Sequence, residues 1–263
     1  MQKVILITGG TSGIGLHAAK TLAANGCKVY ELSRREEGAE GIVHLQTDVT
    51  DERQVERAVQ EILDREGRID VVINNAGFGI SGAVEFTKLE DAKKQLDVNF
   101  FGIVSVNRAV LPVLRKQGFG RIVMVSSVAG AIPIPFQTYY SVSKAAINAY
   151  ALALANEVRP YGVTVCAVQP GDIQTGFTAA REKNPEGDEE YEGRIARSVS
   201  TMEHDEQNGM KPEQAGRIIA AVAQKRSKKP IYTIGFTYKL FCAIVKLLPK
   251  TFSNYLVGLL YAK

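Results

Sequence analysis

Cysteine is scarce in this chain: Cys27, Cys166 and Cys242 lie far apart and no two form a CxxC pair. Three scattered thiols exclude a disulfide framework and a structural zinc site, so no metal is expected and a reducing cytoplasm fits. Cys27 and Cys166 fall in apolar, strand-like stretches and read as small core residues. A surplus of charge is lacking too. The 32 basic residues outnumber the 28 acidic ones by only four. Nucleic-acid binding needs a concentrated basic face, so no nucleic-acid partner is expected. Long apolar runs are also missing. Val4-Ile5-Leu6-Ile7 is too short for a secretory segment and runs into a glycine turn. The most apolar stretch, Tyr238 to Tyr261, is interrupted by Lys246, Pro249 and Lys250. It falls short of the roughly 18–20 uninterrupted apolar residues of a membrane span. Internal repeats and low-complexity linkers are absent, which leaves a single domain over 1–263.

What is present alternates. Val4–Ile7, Lys28–Leu32, Val71–Asn74, Ile122–Ser126 and Thr164–Gln169 are dense in Val and Ile and read as buried strands. Between them apolar residues recur at helical spacing: Ile14, Ala18 and Leu22; Val55, Ala58 and Ile62; Val104, Ala109 and Leu114; Ala145, Ala149 and Leu152. Asn25-Gly26 closes the first helix, and Thr50-Asp51-Glu52 opens the second with a cap and an acidic first turn. Such alternation predicts an α/β fold, with right-handed crossovers and a doubly wound parallel sheet covered by helices on both faces. Two regions break the rhythm. Arg34 to Gly41 is charged and too short for a helix, and predicts a loop or a single turn. The segment 176–212 is strongly polar, and is either a solvated surface insertion or a lid over a site.

The turn Thr8-Gly9-Gly10-Thr11-Ser12-Gly13-Ile14-Gly15 joins the first strand to the first helix. Glycines there let a pyrophosphate approach the free N–H groups and dipole of the helix N-terminus, so a dinucleotide is expected. An NAD-binding chain presents a carboxylate to the adenosine ribose about 20 residues on. Here Ser33 takes that place and Arg34-Arg35 follows, which favours the 2′-phosphate of NADP(H) over NAD(H). Two solvated loop arginines are the plain alternative. Alternation along the strand turns Glu31 away from the cofactor.

Tyr140 and Lys144 stand four apart, on one helical face. With 10 tyrosines and 17 lysines, about 0.65 such pairs arise by chance. The spacing acquires weight from its company: Asn74-Asn75-Ala76-Gly77, Asn99, Ser126-Ser127 and Pro170-Gly171. In this order, and with thirteen residues from Ser127 to Tyr140, the motifs resemble the short-chain dehydrogenase/reductase family, from Val4 to about Thr175. The resemblance implies a Rossmann-like domain. Its implied roles are Tyr140 as acid/base, Ser127 on the substrate oxygen, Lys144 on the nicotinamide ribose, and Asn99 anchoring a water relay behind Lys144. Ser126 is the alternative serine, although it faces the other side of the strand end. A phenol is a poor base at neutral pH, and a neighbouring ammonium favours its phenolate.

Asn75, Ala76 and Gly77 are further cofactor contacts in the resembling pattern. Pro170, Gly171, Ile173 and Thr175 match its nicotinamide-side loop, and Asp48-Val49 its adenine-contacting pair. Structural roles stay open for two of these: Asp48 could end a strand and Thr175 could cap a helix. The reading implied is an NADP(H)-dependent oxidoreductase interconverting a carbonyl and a secondary alcohol. An NAD-dependent dehydrogenase of the same family and a non-catalytic dinucleotide sensor are the alternatives. Phe78, Ile80, Ile132, Ile134, Phe136 and Phe177 are expected near the site and point to a lipophilic substrate. The extension 236–263 is apolar on at least one face, punctuated by Lys239, Lys246, Lys250 and Lys263. Packing on a subunit or symmetry mate is its leading reading, in keeping with the family's habit of forming homodimers and homotetramers. A greasy pocket wall and a membrane-surface contact are the other two.

Overall fold

The computed structural model describes residues 2–262; Met1 and Lys263, the ends of the expected domain, lie outside them. Its strands are β1 (Val4–Thr8), β2 (Lys28–Ser33), β3 (Val43–Gln46), β4 (Val71–Asn74), β5 (Ile80–Ser81), β6 (Gly120–Val125), β7 (Val163–Gln169), β8 (Glu182–Lys183) and β9 (Ile231–Thr233). The helices are α1 (Gly13–Ala24), α2 (Glu52–Glu66), α3 (Leu89–Leu96), α4 (Gly102–Gln117), α5 (Thr138–Val158), α6 (Phe177–Ala180), α7 (Arg194–Gln207), α8 (Pro212–Gln224), α9 (Phe236–Leu247) and α10 (Lys250–Tyr261). Seven strands form one parallel sheet in the order β3-β2-β1-β4-β6-β7-β9. β5 and β8 pair separately beside it.

The period of two in β1 divides the core. Val4 and Leu6 face one cluster with Tyr30 of β2 and with Val55, Ile62, Val106, Val110, Ile147 and Leu154 from α2, α4 and α5. Ile5 and Ile7 face the other, with Ala18, Leu22, Ile219 and Ala223 from α1 and α8. A strand buried on both faces reads as a continuous apolar run, which is why β1 is so legible. The expected caps are in place. Asp51 accepts from Arg53 N at 2.9 Å and Gln54 N at 3.2 Å, and Gly26 follows α1 at φ +78°.

The structure departs from expectation in two places. Residues 34–41 form the loop expected, but β3 follows them as an edge strand. The segment 176–212 is not a plain polar loop; it holds α6, β8 and the four-turn helix α7, whose Ile195, Ser198 and Met202 are buried. The extension packs its inner face on its own chain, which falls within the leading reading of it. Tyr238, Phe241, Cys242, Val245, Val257 and Tyr261 pack with Val128, Ala131 and Ile132 of the same chain. The helical run Leu89–Gln117 is long and apolar enough to cross a membrane by composition. Its Ile103, Val106, Val110 and Leu114 are nevertheless buried in the core.

Candidate active site

Strand order reverses between β1 and β4, and the loops leaving their carboxyl ends open a crevice there. Buried Thr8 ties the two loops together. Its Oγ1 accepts from Asn75 N and Ala76 N, both at 3.0 Å, while Asn75 Nδ2 donates back to Thr8 O at 3.1 Å and Gly9 O at 3.0 Å. Helix α1 then starts so close that a Cβ on Gly15 would stand 2.3 Å from Gly9 O. Only glycine allows that approach. Among the described residues no side chain caps the N-terminus of α1 and no carboxylate occupies its first turn, which leaves its leading N–H groups available to an anion.

Above this crevice lies a cavity of about 420 Å³. Gly9, Ser12, Gly13 and Ile14 line it from the first loop, Asn75, Ala76 and Gly77 from the second, and Pro170, Gly171 and Ile173 from the turn after β7. Ser127, Tyr140 and Lys144 share the same wall. An unobstructed helix N-terminus, a glycine-only approach and a buried ammonium fit a dinucleotide. The first loop would hold its pyrophosphate and Lys144 its ribose.

The catalytic candidates are held by distinct elements. Ser127 caps a single 3-10 turn, Val128–Gly130, and accepts from Ala129 N at 3.1 Å. Ser126 is buried and donates to Lys144 O at 2.9 Å, so it braces α5 against the end of β6. Lys144 is 5% exposed and its Nζ donates to Val125 O at 2.9 Å, 5.5 Å from the centre of the Tyr140 ring. Burial lowers the Lys144 amine to about 8. Burial also pushes the Tyr140 phenol up to about 12, against a hydrogen bond from Ser127 that favours the phenolate. The Phe177 ring, 5.6 Å away and tilted, flanks that phenol.

Asn99 sits in a π-helical turn, Asp97–Phe101, spliced between α3 and α4, a device that turns a side chain out of helical register. Its Nδ2 donates to Phe78 O at 2.9 Å and to Ser143 Oγ at 3.1 Å, and its Oδ1 accepts from Phe78 N at 3.0 Å. It therefore positions the loop after Gly77 and the tyrosine helix. A Cβ on Gly77 would approach both Asn99 Oδ1 and Lys144 Nζ, at 3.1 and 3.7 Å, so the two side chains flank one point.

Other expected residues lie off the cavity wall. Thr11 Oγ1 meets Ser33 Oγ at 3.4 Å and joins the first loop to the end of β2. Arg34 and Arg35 are both exposed, and of the two only Arg35 lines the cavity. Asp48 accepts from Thr50 N and Oγ1 at 2.9 and 2.8 Å, shaping the turn into α2, while Val49 packs in the core. Thr175 Oγ1 accepts from Phe177 N at 3.1 Å, two residues on, at the turn into α6. Glu31 is fully buried, accepting from Gly10 N at 3.2 Å and pairing with His44 Nδ1 at 2.5 Å. Phe78, Ile132, Ile134 and Phe177 line the cavity, whereas Ile80 and Phe136 do not.

Gln137, whose Oε1 has no partner among the described residues, lines the cavity and is not evident from the sequence. The inner face of the C-terminal extension, Tyr238, Phe241, Val257, Leu260 and Tyr261, also lines it, in keeping with the pocket-wall reading of that segment. A hydrogen bond from Tyr238 to Asp172 and another from Tyr261 to Asp205, at 3.2 Å, tie that extension to the turn after β7 and to α7. Amphipathic spacing shows that such helices bury a face but not which face of the fold receives them.

The family profile described as short chain dehydrogenase matches residues 3–186. Over 264 aligned residues the chain is 39% identical to a 3-ketodihydrosphingosine reductase from Bacteroides thetaiotaomicron, covering 99% of this chain and 98% of that one. A solved short-chain dehydrogenase from Streptomyces avermitilis is similar with a TM-score of 0.81 and 29% identity, over 92% of this chain and 91% of that one. The structure of ElxO with NADP bound gives a TM-score of 0.75 at 27% identity, over 91% and 100%.

Proposed function

The chain belongs to the short chain dehydrogenase family, and from that premise we propose that it reduces the keto group of a lipophilic, long-chain substrate with NADPH. As a member of that family it is an oxidoreductase acting between C=O and CH–OH. One observation carries the finer reading: a single cavity is lined both by Ser127, Tyr140 and Lys144 and by Ile132, Phe177, Phe241, Val257 and Leu260. Such a wall favours an apolar chain attached to the ketone. The relative named 3-ketodihydrosphingosine reductase is similar over its whole length, and makes a 3-keto long-chain base the first substrate to try.

When bound, the reduced nicotinamide supplies the hydride. Ser127 Oγ donates to the substrate carbonyl oxygen and fixes its position. Tyr140 Oη protonates that oxygen as negative charge develops on it, and the Lys144 ammonium stabilises the phenolate left behind. Phe177 and the inner face of the extension exclude water from this step.

Support for NADPH comes from Arg35 on the cavity wall and from Glu31, whose carboxylate is engaged by Gly10 N and His44. ElxO, with NADP bound, offers a structural parallel. The reading keeps the enzyme in the cytoplasm, where its three unpaired, buried thiols stay reduced. Loss of reduced-cofactor absorbance, followed with NADPH or NADH and with a long-chain 3-keto base or a short ketone, tests both parts. NADPH and the long-chain ketone should give the higher kcat/KM. Equal or better use of NADH would overturn the cofactor assignment, and faster turnover of the short ketone the substrate class.

A further inference from the structure

No acidic residue follows Glu213, whereas nine basic ones do; the first 213 residues carry 23 basic and 28 acidic side chains. The net positive charge of the chain therefore resides entirely in its last fifty residues. Three of those nine, Lys239, Lys246 and Lys250, are exposed on α9 and α10. Between them the same helices expose large apolar side chains. Phe236 is 83% and Leu247 87% exposed, and with Leu240 and Ile244 they recur at helical spacing along α9. Phe252, Tyr255 and Leu260 stand out from α10.

The opposite stripes of these two helices, through Tyr238, Phe241 and Val257, wall the cavity. Leu260 belongs to both surfaces, lining the cavity while more than half exposed. The apolar lining thus continues without a break onto the outer surface.

The geometry points to a docking surface for an anionic lipid leaflet, with α9 and α10 lying in its interface and the cavity mouth facing the acyl chains. Each helix has 12 residues, about 18 Å, against a hydrocarbon layer of about 30 Å, so neither spans it. Apolar side chains at the acyl boundary with lysines at phosphate level are the composition of an interfacial helix. A second copy using the same face would set lysine against lysine, with no carboxylate on either helix to offset them. The purpose of the surface, delivery of a lipid ketone to Tyr140, rests on the function proposed above; the binding itself does not.

Sedimentation of the full chain with vesicles of phosphatidylcholine, with or without phosphatidylglycerol, tests it, alongside analytical ultracentrifugation without lipid. The protein should pellet with the phosphatidylglycerol vesicles and be released by salt. Replacing Lys239, Lys246 and Lys250 together by Gln should weaken binding on the order of a hundredfold, from about fivefold per lysine. Phe236→Ser with Leu247→Ser should abolish it, while turnover of a water-soluble ketone and the circular dichroism spectrum stay as in the wild type. Failure to pellet with anionic vesicles would overturn the proposal. So would lipid-free self-association that the two serine substitutions abolish, because the face would then join two copies of the chain. Both readouts are independent of lipid turnover, so reduction of a long-chain ketone without vesicle binding refutes the surface alone.

Discussion

Lys144→Met separates what the buried amine does for catalysis from what it costs the fold. In the unfolded chain a lysine keeps its proton to about pH 10.5; inside this fold burial lowers that to about 8. Between those values the unfolded state binds more protons, so wild-type stability rises with pH across the window, and below pH 8 the full cost stands. That cost is about 3 kcal/mol at pH 7. Methionine fills a similar volume without charge and relieves it, but orphans Val125 O, which Nζ reaches at 2.9 Å. An unpaired buried carbonyl costs about 1–3 kcal/mol at every pH. The absolute change at pH 7 is thus small, while its pH dependence is large: variant minus wild-type stability should fall by about 2 kcal/mol from pH 7 to pH 10. Urea unfolding followed by far-UV circular dichroism at several pH values measures it. Activity should be lost throughout. A stability difference that stays constant over this range would refute the buried-amine argument, because only a titrating wild-type group can make it vary.

The phenol of Tyr140, pushed up to about 12 in the free protein, sets the pH preference of the two directions. Ketone reduction draws on the protonated phenol and should stay level from pH 6 to 7.5, whereas alcohol oxidation should climb about tenfold per pH unit over the same range; initial rates in both directions check this. Arg35→Ala should raise the Kd for NADPH about tenfold to a hundredfold, the loss of one charge-assisted contact, and leave NADH nearly unchanged. Arg34→Ala should do less, and fluorescence titration of the two variants would reject the assignment if their order were reversed.

The sheet was legible wherever both faces of a strand are buried, as in β1, β2, β4, β6 and β7. Val43–Gln46 and Ile231–Thr233 escaped notice because edge strands are short and half-buried, and their pairing depends on a neighbour rather than on their own pattern. The helix α7 was hidden in the polar segment 176–212 because it buries few side chains, Ile195, Ser198 and Met202. That Ser127, Tyr140 and Lys144 meet on one cavity wall was readable from motif order and spacing. That Arg35 rather than Arg34 stands on the cavity wall was not readable, since the path of a loop decides which side chain reaches the crevice. The inner wall of α9 and α10 was visible as an apolar face, but its partner across the cavity is a tertiary fact.

Tyr140→Phe tests the central claim most directly, that this phenol passes the proton that accompanies hydride transfer. Removing one oxygen from a side chain on the cavity wall leaves the first loop, the second loop and Lys144 as they are. Consumption of NADPH with a ketone substrate should become undetectable, while NADPH binding followed by fluorescence stays within about twofold of the wild type. Turnover at the wild-type rate would contradict the account.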